Sequence, residues 1–364
     1  MIRTPNAPVT PAVLRWARLA AGVSRDDLAR RAGVTAGRVE AWENGDELPS
    51  LAKLRAVADG LRLPVAFFFT PEPPERAPER PPDFRGGTGT LSAPLLRELT
   101  AAQERRDAYQ EFGVPPTWRD DLPTDPDAAR TRLGVTVEDI ADATDPTAAL
   151  HRWIAAVEDL GILVFQMSGI PVAECRGFVV DDDEVPVIVL NGADAPQARA
   201  FTLMHELGHL AHHTGGLCDL DEHDEAEREC NRFAAAVLMP RDAVATAIRG
   251  AEGRNAVQRV ARQFRVSPMA AALRLLELRK VARSVVDQVQ DETEAAAARA
   301  AENPTGGGPA PEVLKRRNLG DPYIATVLDA LGREAITVVD AAYLLDAKVA
   351  MVDKLERRLA GEPA

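Results

Sequence analysis

The stretch Phe201-Thr202-Leu203-Met204-His205-Glu206-Leu207-Gly208-His209-Leu210 organises the reading of the whole chain. Phe201, Met204, Leu207 and Leu210 recur at helical spacing and form an apolar stripe. On such a helix His205 and His209 stand four residues apart, so both imidazoles leave one face a turn apart and can bind a single Zn²⁺. Glu206, beside the first histidine, can reach water at the metal and take its proton as a general base. Five of the six histidines (His205, His209, His212, His213 and His223) fall within this short region, a clustering that chance placement on a solvated helix face does not explain.

A catalytic zinc site needs a third protein ligand and an open position. Downstream candidates are His212, His213, Asp219, Asp221, Glu222, His223, Glu225, Glu227 and Glu229. His212 and His213 lie within one turn of His209 and cannot fold back around the same ion unless the helix breaks, which Thr214-Gly215-Gly216 is suited to do. The run Asp224–Met239 is expected to be a second helix ended by Pro240. On it Glu227 and Asn231 share one face, while Glu229 points toward solvent.

His205-Glu206-Leu207-Gly208-His209, then Glu227-x-x-Cys230-Asn231-Arg232-Phe233-Ala234-Ala235, then Val237-Leu238-Met239-Pro240 resembles the ImmA/IrrE family of zinc metallopeptidases. The motifs span about 155–243. Pro82-Asp83-Phe84-Arg85 and Gln103-Glu104-Arg105-Arg106 are similar to segments that precede them in that family. The resemblance implies a zincin-like fold with Glu227 as the third ligand beside His205 and His209, and Glu206 as the catalytic residue. It also implies limited proteolysis of a repressor-type protein with a helix-turn-helix, in response to stress or to signals from mobile elements. Asn231, one turn beyond Glu227, is expected to support that carboxylate; its alternative is capping or packing. In zincin-like sites an edge strand pairs with extended substrate, and Arg176–Val180 or Val185–Leu190 could supply it.

Outside this region, 364 residues with 46% hydrophobic content imply two or three domains with real cores. No stretch approaches the ~18 apolar residues of a membrane span, and the N-terminus lacks a signal-peptide core, so the expectation is a cytoplasmic protein with no membrane partner. The net charge is −13, unevenly spread: residues 1–70 carry ten Arg and Lys against seven Asp and Glu, or +3, leaving −16 for the remainder. Pro71–Pro82, half proline, is a semi-rigid linker, and Asn303–Pro311 is a Gly- and Pro-rich joint. The predicted organisation is therefore a helical module at 1–70, a linker at 71–87, a peptidase domain at 88–300, a joint at 301–312 and a helical segment at 313–364. Strands are expected at Ile162–Gln166, Arg176–Val180 and Val185–Leu190 and helices at Ala93–Phe112 and Thr147–Leu160, followed by helix to about Ala300. The fold class is mainly α with a small β-sheet: a helix-turn-helix domain, an α+β metallopeptidase domain and a helical C-terminal segment. Val257–Leu278, a helix-turn-helix in outline, reads as packing.

In the first block, Ser24 with Asp27 predicts a capping box, Gly33 the tight turn, and Thr35 the start of the next helix. Ser24-Arg25-Asp26-Asp27-Leu28-Ala29, Ala32-Gly33-Val34 and Trp42-Glu43-Asn44-Gly45 with Pro49 resemble the Xre family of phage-type repressor domains over about 55 residues. That resemblance implies duplex-DNA contact through Thr35, Ala36, Gly37, Glu40 and Ala41, flanked by Arg25 and Arg38. Ala36, Gly37 and Ala41 offer no side-chain hydrogen bond to a base edge, so phosphate or guanine contact falls to the arginines. The alternative is a module that mediates dimerisation or contacts a partner protein, and a homodimer is one candidate assembly.

Three cysteines are too few for a disulfide framework. Cys218 and Cys230 are a candidate redox pair near the zinc, and Cys175 a weaker candidate as an inhibitory thiolate. As a whole the chain reads as a transcriptional regulator carrying a zinc endopeptidase. The alternative is a DNA-binding factor whose zinc domain only senses or stiffens.

Overall fold

The computed structural model describes residues 7–20, 23–61, 65–73, 92–114, 117–118, 121–182, 184–213, 225–302 and 310–359. Most of the Pro-rich linker, including Pro82–Arg85, the joint at 303–309, Thr214–Gly216, Cys218 and His223 lie outside these residues. The chain divides into two compact units, Met1–Pro82 with Gly87–Ala101, and Asp83–Gly86 with Ala102–Ala364.

The first unit holds α1 (Pro11–Ala20), α2 (Arg25–Ala32), α3 (Ala36–Asn44), α4 (Leu51–Leu61) and a 3₁₀ turn at Val65–Phe69. Ser24 caps α2 by accepting the Asp27 N–H at 3.0 Å. Gly33 ends it at φ 62°, a left-handed conformation that glycine adopts without a Cβ penalty. Thr35 occupies the N-cap position of α3 without a side-chain capping bond. Leu14, Leu28, Val39, Trp42, Leu54 and Phe68 form the core. Inside it Glu43 is buried between two cations, 2.5 Å from Arg18 Nε and 2.9 Å from Arg25 Nε. Burial opposes its charge, but the two guanidiniums win and hold the carboxyl below its usual range.

The second unit contains the latter half of α5 (Ala93–Glu111), then α6 (Pro126–Leu133), α7 (Val137–Ala141), α8 (Pro146–Glu158), β1 (Leu163–Met167), β2 (Gly177–Val180), β3 (Val187–Asn191), α9 (Pro196–Ala211) and α10 (Glu225–Leu238). There follow α11 (Arg241–Ala247), α12 (Gly253–Gln263), α13 (Pro268–Glu277), α14 (Arg283–Glu302), α15 (Pro311–Leu319), α16 (Asp321–Gly332), α17 (Val338–Leu344) and α18 (Val349–Leu359). The sheet order is β1-β3-β2, with β1 parallel to β3 (Leu163 opposite Val187) and β2 antiparallel to it (Val180 opposite Val187). Every strand residue is buried, and because successive side chains point to opposite faces, both faces of this small sheet are covered. The mainly helical fold with a small sheet is the one the sequence predicts.

Leu203, Met204 and Leu207 of α9 pack in one core with Trp153 of α8, Ile188 of β3 and Phe233 and Val237 of α10. The helical pair α12 and α13 joins this same core through Val257, Val260, Ala271 and Leu275. The C-terminal helices belong to the same unit: α15 packs on β1, Asn318 Nδ2 donates to Ser168 Oγ at 3.3 Å, and the Tyr323 ring meets Phe165 edge-on at 5.4 Å. Among the described residues no helix is long and apolar enough to cross a membrane.

Removing the Glu43 carboxylate leaves the buried Arg18 guanidinium without its anion and Arg25 with Glu40 alone. Glu43→Ala is expected to lower stability by about 3 kcal/mol. Urea unfolding monitored by tryptophan fluorescence in the first unit's transition checks this, and a loss below about 1 kcal/mol would mean the triad is dispensable.

Candidate metal centre

α9 begins at Pro196, which pre-sets the helical φ at a position where no N–H is needed. Its last three turns are almost wholly buried, including His205, Glu206 and His209. α10 lies close against it at Gly208, where a side chain would be crowded. A Cβ there would stand 3.2 Å from Phe233 Cδ1 and 3.3 Å from Cys230 Cα. This approach brings Glu227, one turn before Cys230, up to the two imidazoles.

His205 Nε2 and His209 Nε2 are 3.1 Å apart, Glu227 Oε2 is 3.1 Å from the first and Glu227 Oε1 3.4 Å from the second. Donors about 2.0–2.1 Å from a tetrahedral zinc stand about 3.3 Å from one another, so this set fits such an ion. Among the described residues these three are the group able to hold a metal. Burial works against charge on both His209 and Glu227. The contacts with Cys230 and Glu227 nevertheless raise His209 to about 10, and those with His205 and His209 lower Glu227 to about 2. Metal and proton thus compete for the same donors.

Asn231 stands by His205 rather than by Glu227, correcting the partner that helical spacing suggested. Its Oδ1 lies 3.0 Å from His205 Nδ1. Accepting there, the amide keeps the proton on Nδ1 and turns the Nε2 lone pair toward the other donors. Cys230 is fully buried and hydrogen-bonded to His209. The sequence reading gave this thiol a redox partner, Cys218, which lies outside the described residues; its contact with His209 is invisible to local spacing. The far end of α10 is fixed by two buried arginines from distant helices. Arg130 Nη1 donates to the Val237 carbonyl at 2.5 Å and Arg274 Nε to that of Met239 at 3.1 Å.

On the other side of α9, β2 comes equally close. A Cβ on Gly177 would lie 2.5 Å from Thr202 Cγ2 and 3.3 Å from Glu206 Oε1. The Cys175 thiol donates to the Gly177 carbonyl, and burial together with the Glu206 charge pushes it up to about 12. Among the described residues Cys175 is not in the group able to hold a metal. Of the two strands proposed for substrate pairing, β3 is excluded because both its edges are occupied, leaving β2. His212 packs on Phe233, and His213, Glu225 and Glu229 are outside the cluster.

In the N-terminal unit Thr35, Gly37, Arg38 and Glu40 are exposed along α3, with Ala36 and Ala41 half-buried. The flanking arginines are not free. Arg25 pairs with Glu40 at 2.7 Å as well as with Glu43, and Arg38 Nε with Glu47 at 3.0 Å. These partners are nine to eighteen residues away in sequence, beyond the helical spacing at which ion pairs can be anticipated.

Residues 157–276 match the family described as the IrrE N-terminal-like domain, and residues 14–68 match the helix-turn-helix family. The chain thus carries an IrrE-like domain of the ImmA/IrrE type, preceded by a helix-turn-helix domain. The family is one of metallopeptidases. Over 107 residues the chain is 36% identical to the radiation response metalloprotease IrrE of Deinococcus radiodurans, a match covering 26% of this chain and 32% of that protein. The match thus spans about a third of that relative's length. Among solved structures, a Mycobacterium tuberculosis transcriptional regulator is 20% identical over 48% of this chain and 51% of its own, with a TM-score of 0.31. Bacillus thuringiensis PlcR, solved with the peptide PapR7 and DNA, is 11% identical over 98% of this chain and 100% of its own, with a TM-score of 0.16.

The helix contact at Gly208 predicts that Gly208→Val will force α10 away and cost about 1–3 kcal/mol by overpacking. Metal affinity should fall at least about tenfold, a loss of about 1.4 kcal/mol. Competition with a chromophoric chelator measures it, and unchanged affinity would remove Gly208 from the architecture of the site.

Proposed function

We propose that the chain joins a DNA-binding helix-turn-helix domain to a zinc-dependent endopeptidase that cleaves a repressor-type protein. The observation that carries this reading is the convergence of His205, His209 and Glu227 with Glu206 buried on the same helix. His205, His209 and Glu227 would hold the zinc, which would supply electrophilic polarisation of a carbonyl and acidify water. Glu206 accepts the proton of the attacking water and returns it to the departing amine nitrogen. Asn231 and Cys230 hold the two imidazoles in the required orientation. Extended substrate lies antiparallel along the outer edge of β2, whose close approach to α9 brings the scissile bond past Glu206.

The decisive experiment incubates the purified protein with a helix-turn-helix repressor encoded beside its gene. Wild type is expected to cleave it, while Glu206→Gln retains metal and loses at least about 10²-fold in rate. Loss of metal in that variant would move Glu206 into the ligand set. Full metal occupancy with no cleavage of this substrate by wild type would favour the reading in which the zinc domain senses or stiffens.

The helix-turn-helix match supports duplex DNA as the partner of the first unit, bound more tightly by a homodimer than by one copy. Because Arg38 is paired with Glu47, DNA must displace that carboxylate before gaining the arginine. Glu47→Gln should accordingly tighten binding about two- to fivefold, whereas Arg38→Ala weakens it and flattens its salt dependence. Fluorescence anisotropy with a labelled duplex at two salt concentrations reads both. If neither change moves affinity, the module is a protein-interaction domain.

A further inference from the structure

The carboxyl ends of the parallel strands β1 and β3 open on the turn that leads into α9, on the side of the unit where α15 packs. Crevices at this position of a parallel pair are common ligand sites, because the following helix presents its N-terminal N–H groups there. Here the N-cap is Ala195, which supplies no side-chain capping bond. One turn in, Arg199 is 94% buried, being 6% exposed; its Nη1 donates to Gln166 Oε1 at 2.5 Å, while its Nε has no hydrogen-bond partner among the described residues. A second guanidinium arrives from α15. Arg317 lies against the same turn, where Gly192 leaves room for it: a Cβ at 192 would be 2.8 Å from Arg317 Nη2 and 3.0 Å from the Met167 carbonyl. Its Nε and Nη2 both donate to Asn318 Oδ1, a neutral acceptor.

The two arginines are close enough to repel. Burial first, and then the Arg317 charge, lower the pKa of Arg199, with only Asp194 acting in the opposite sense. Asp194 is itself engaged, at 2.8 Å, by Arg176 and accepts the Ala195 N–H. Arg199 is buried with its Nε unpaired among the described residues, Arg317 is part-buried on a neutral acceptor, and Asp194 is already shared with Arg176, so an anion would complete the set. Forked guanidiniums and an uncapped helix N-terminus both favour a tetrahedral oxyanion.

We propose that the crevice between Arg199 and Arg317, at the carboxyl ends of β1 and β3, binds a small phosphate-type anion, either free phosphate or a phosphomonoester. The burial of Arg199 excludes the backbone of a duplex. A bound phosphate joins α15 to the first turn of the helix that carries His205 and His209.

Calorimetry and thermal unfolding of the full-length, metal-loaded protein test this, using inorganic phosphate, glycerol phosphate, and chloride at matched ionic strength. Wild type is expected to bind phosphate or the phosphomonoester with a Kd of about 1 mM or tighter and to unfold at a higher temperature in its presence than in chloride. Tighter binding of glycerol phosphate identifies a phosphomonoester as the natural ligand, and equal binding identifies free phosphate. Arg317→Gln, at a half-exposed position, should weaken binding at least about tenfold with metal content unchanged. Gly192→Ala, which displaces the Arg317 guanidinium, should do the same. Equal responses to phosphate and chloride overturn the proposal, as does phosphate binding that survives in both variants, since the anion would then sit elsewhere, at the metal included.

Discussion

The contact between Gly208 and the backbone of Cys230 is the constraint on which the metal centre depends. Two histidines four residues apart are a local property of one helix, but a third donor must come from another element at a defined distance. A hydrogen atom in place of a side chain at 208 brings α10 within van der Waals contact of α9, and Glu227 arrives as a consequence. The same contact seats Cys230 against His209 and Asn231 against His205, so one close helix crossing sets both the ligands and their orientation.

Around this crossing the structure spends its buried charges on fixing helix ends and loops. Arg130 and Arg274 tie down the carbonyls at the end of α10, and Arg265 donates to the carbonyls of Ala141, the last residue of α7, and of Ala143 beyond it. In the N-terminal unit Glu43 plays the complementary part, binding Arg18 and Arg25 and thereby linking α1, α2 and α3. Removing either member of such a pair is expensive because the survivor cannot return to water. The arginines of the predicted DNA face are drawn into this network, so their availability is regulated by neighbouring carboxylates as well as by exposure.

Much of the architecture was legible in the chain because its signals are local. Ser24 and Asp27 cap α2 as their spacing requires, Gly33 ends it, and the three Val- and Ile-rich runs become the three strands within a residue or two. The HExxH spacing placed both imidazoles correctly on α9. Two short helices, α6 and α7, escaped notice because their apolar periods are too brief to separate from a loop. The ion pairs of Arg25 and Arg38 escaped because their partners lie on other elements.

By itself the sequence determined which elements form and which chemistry α9 can offer, since capping, periodicity and the i, i+4 rule act within a few residues. Only the tertiary structure decided which side chain faces which. It gave Asn231 to His205 rather than to Glu227, buried Cys175 beside Gly177, put β2 rather than β3 at the edge of the sheet, and brought Arg317 from the C-terminal helices to the turn at Gly192. The physical reason is the same in each case: those choices depend on helix crossing distances and strand order, which are set by packing between segments far apart in the chain.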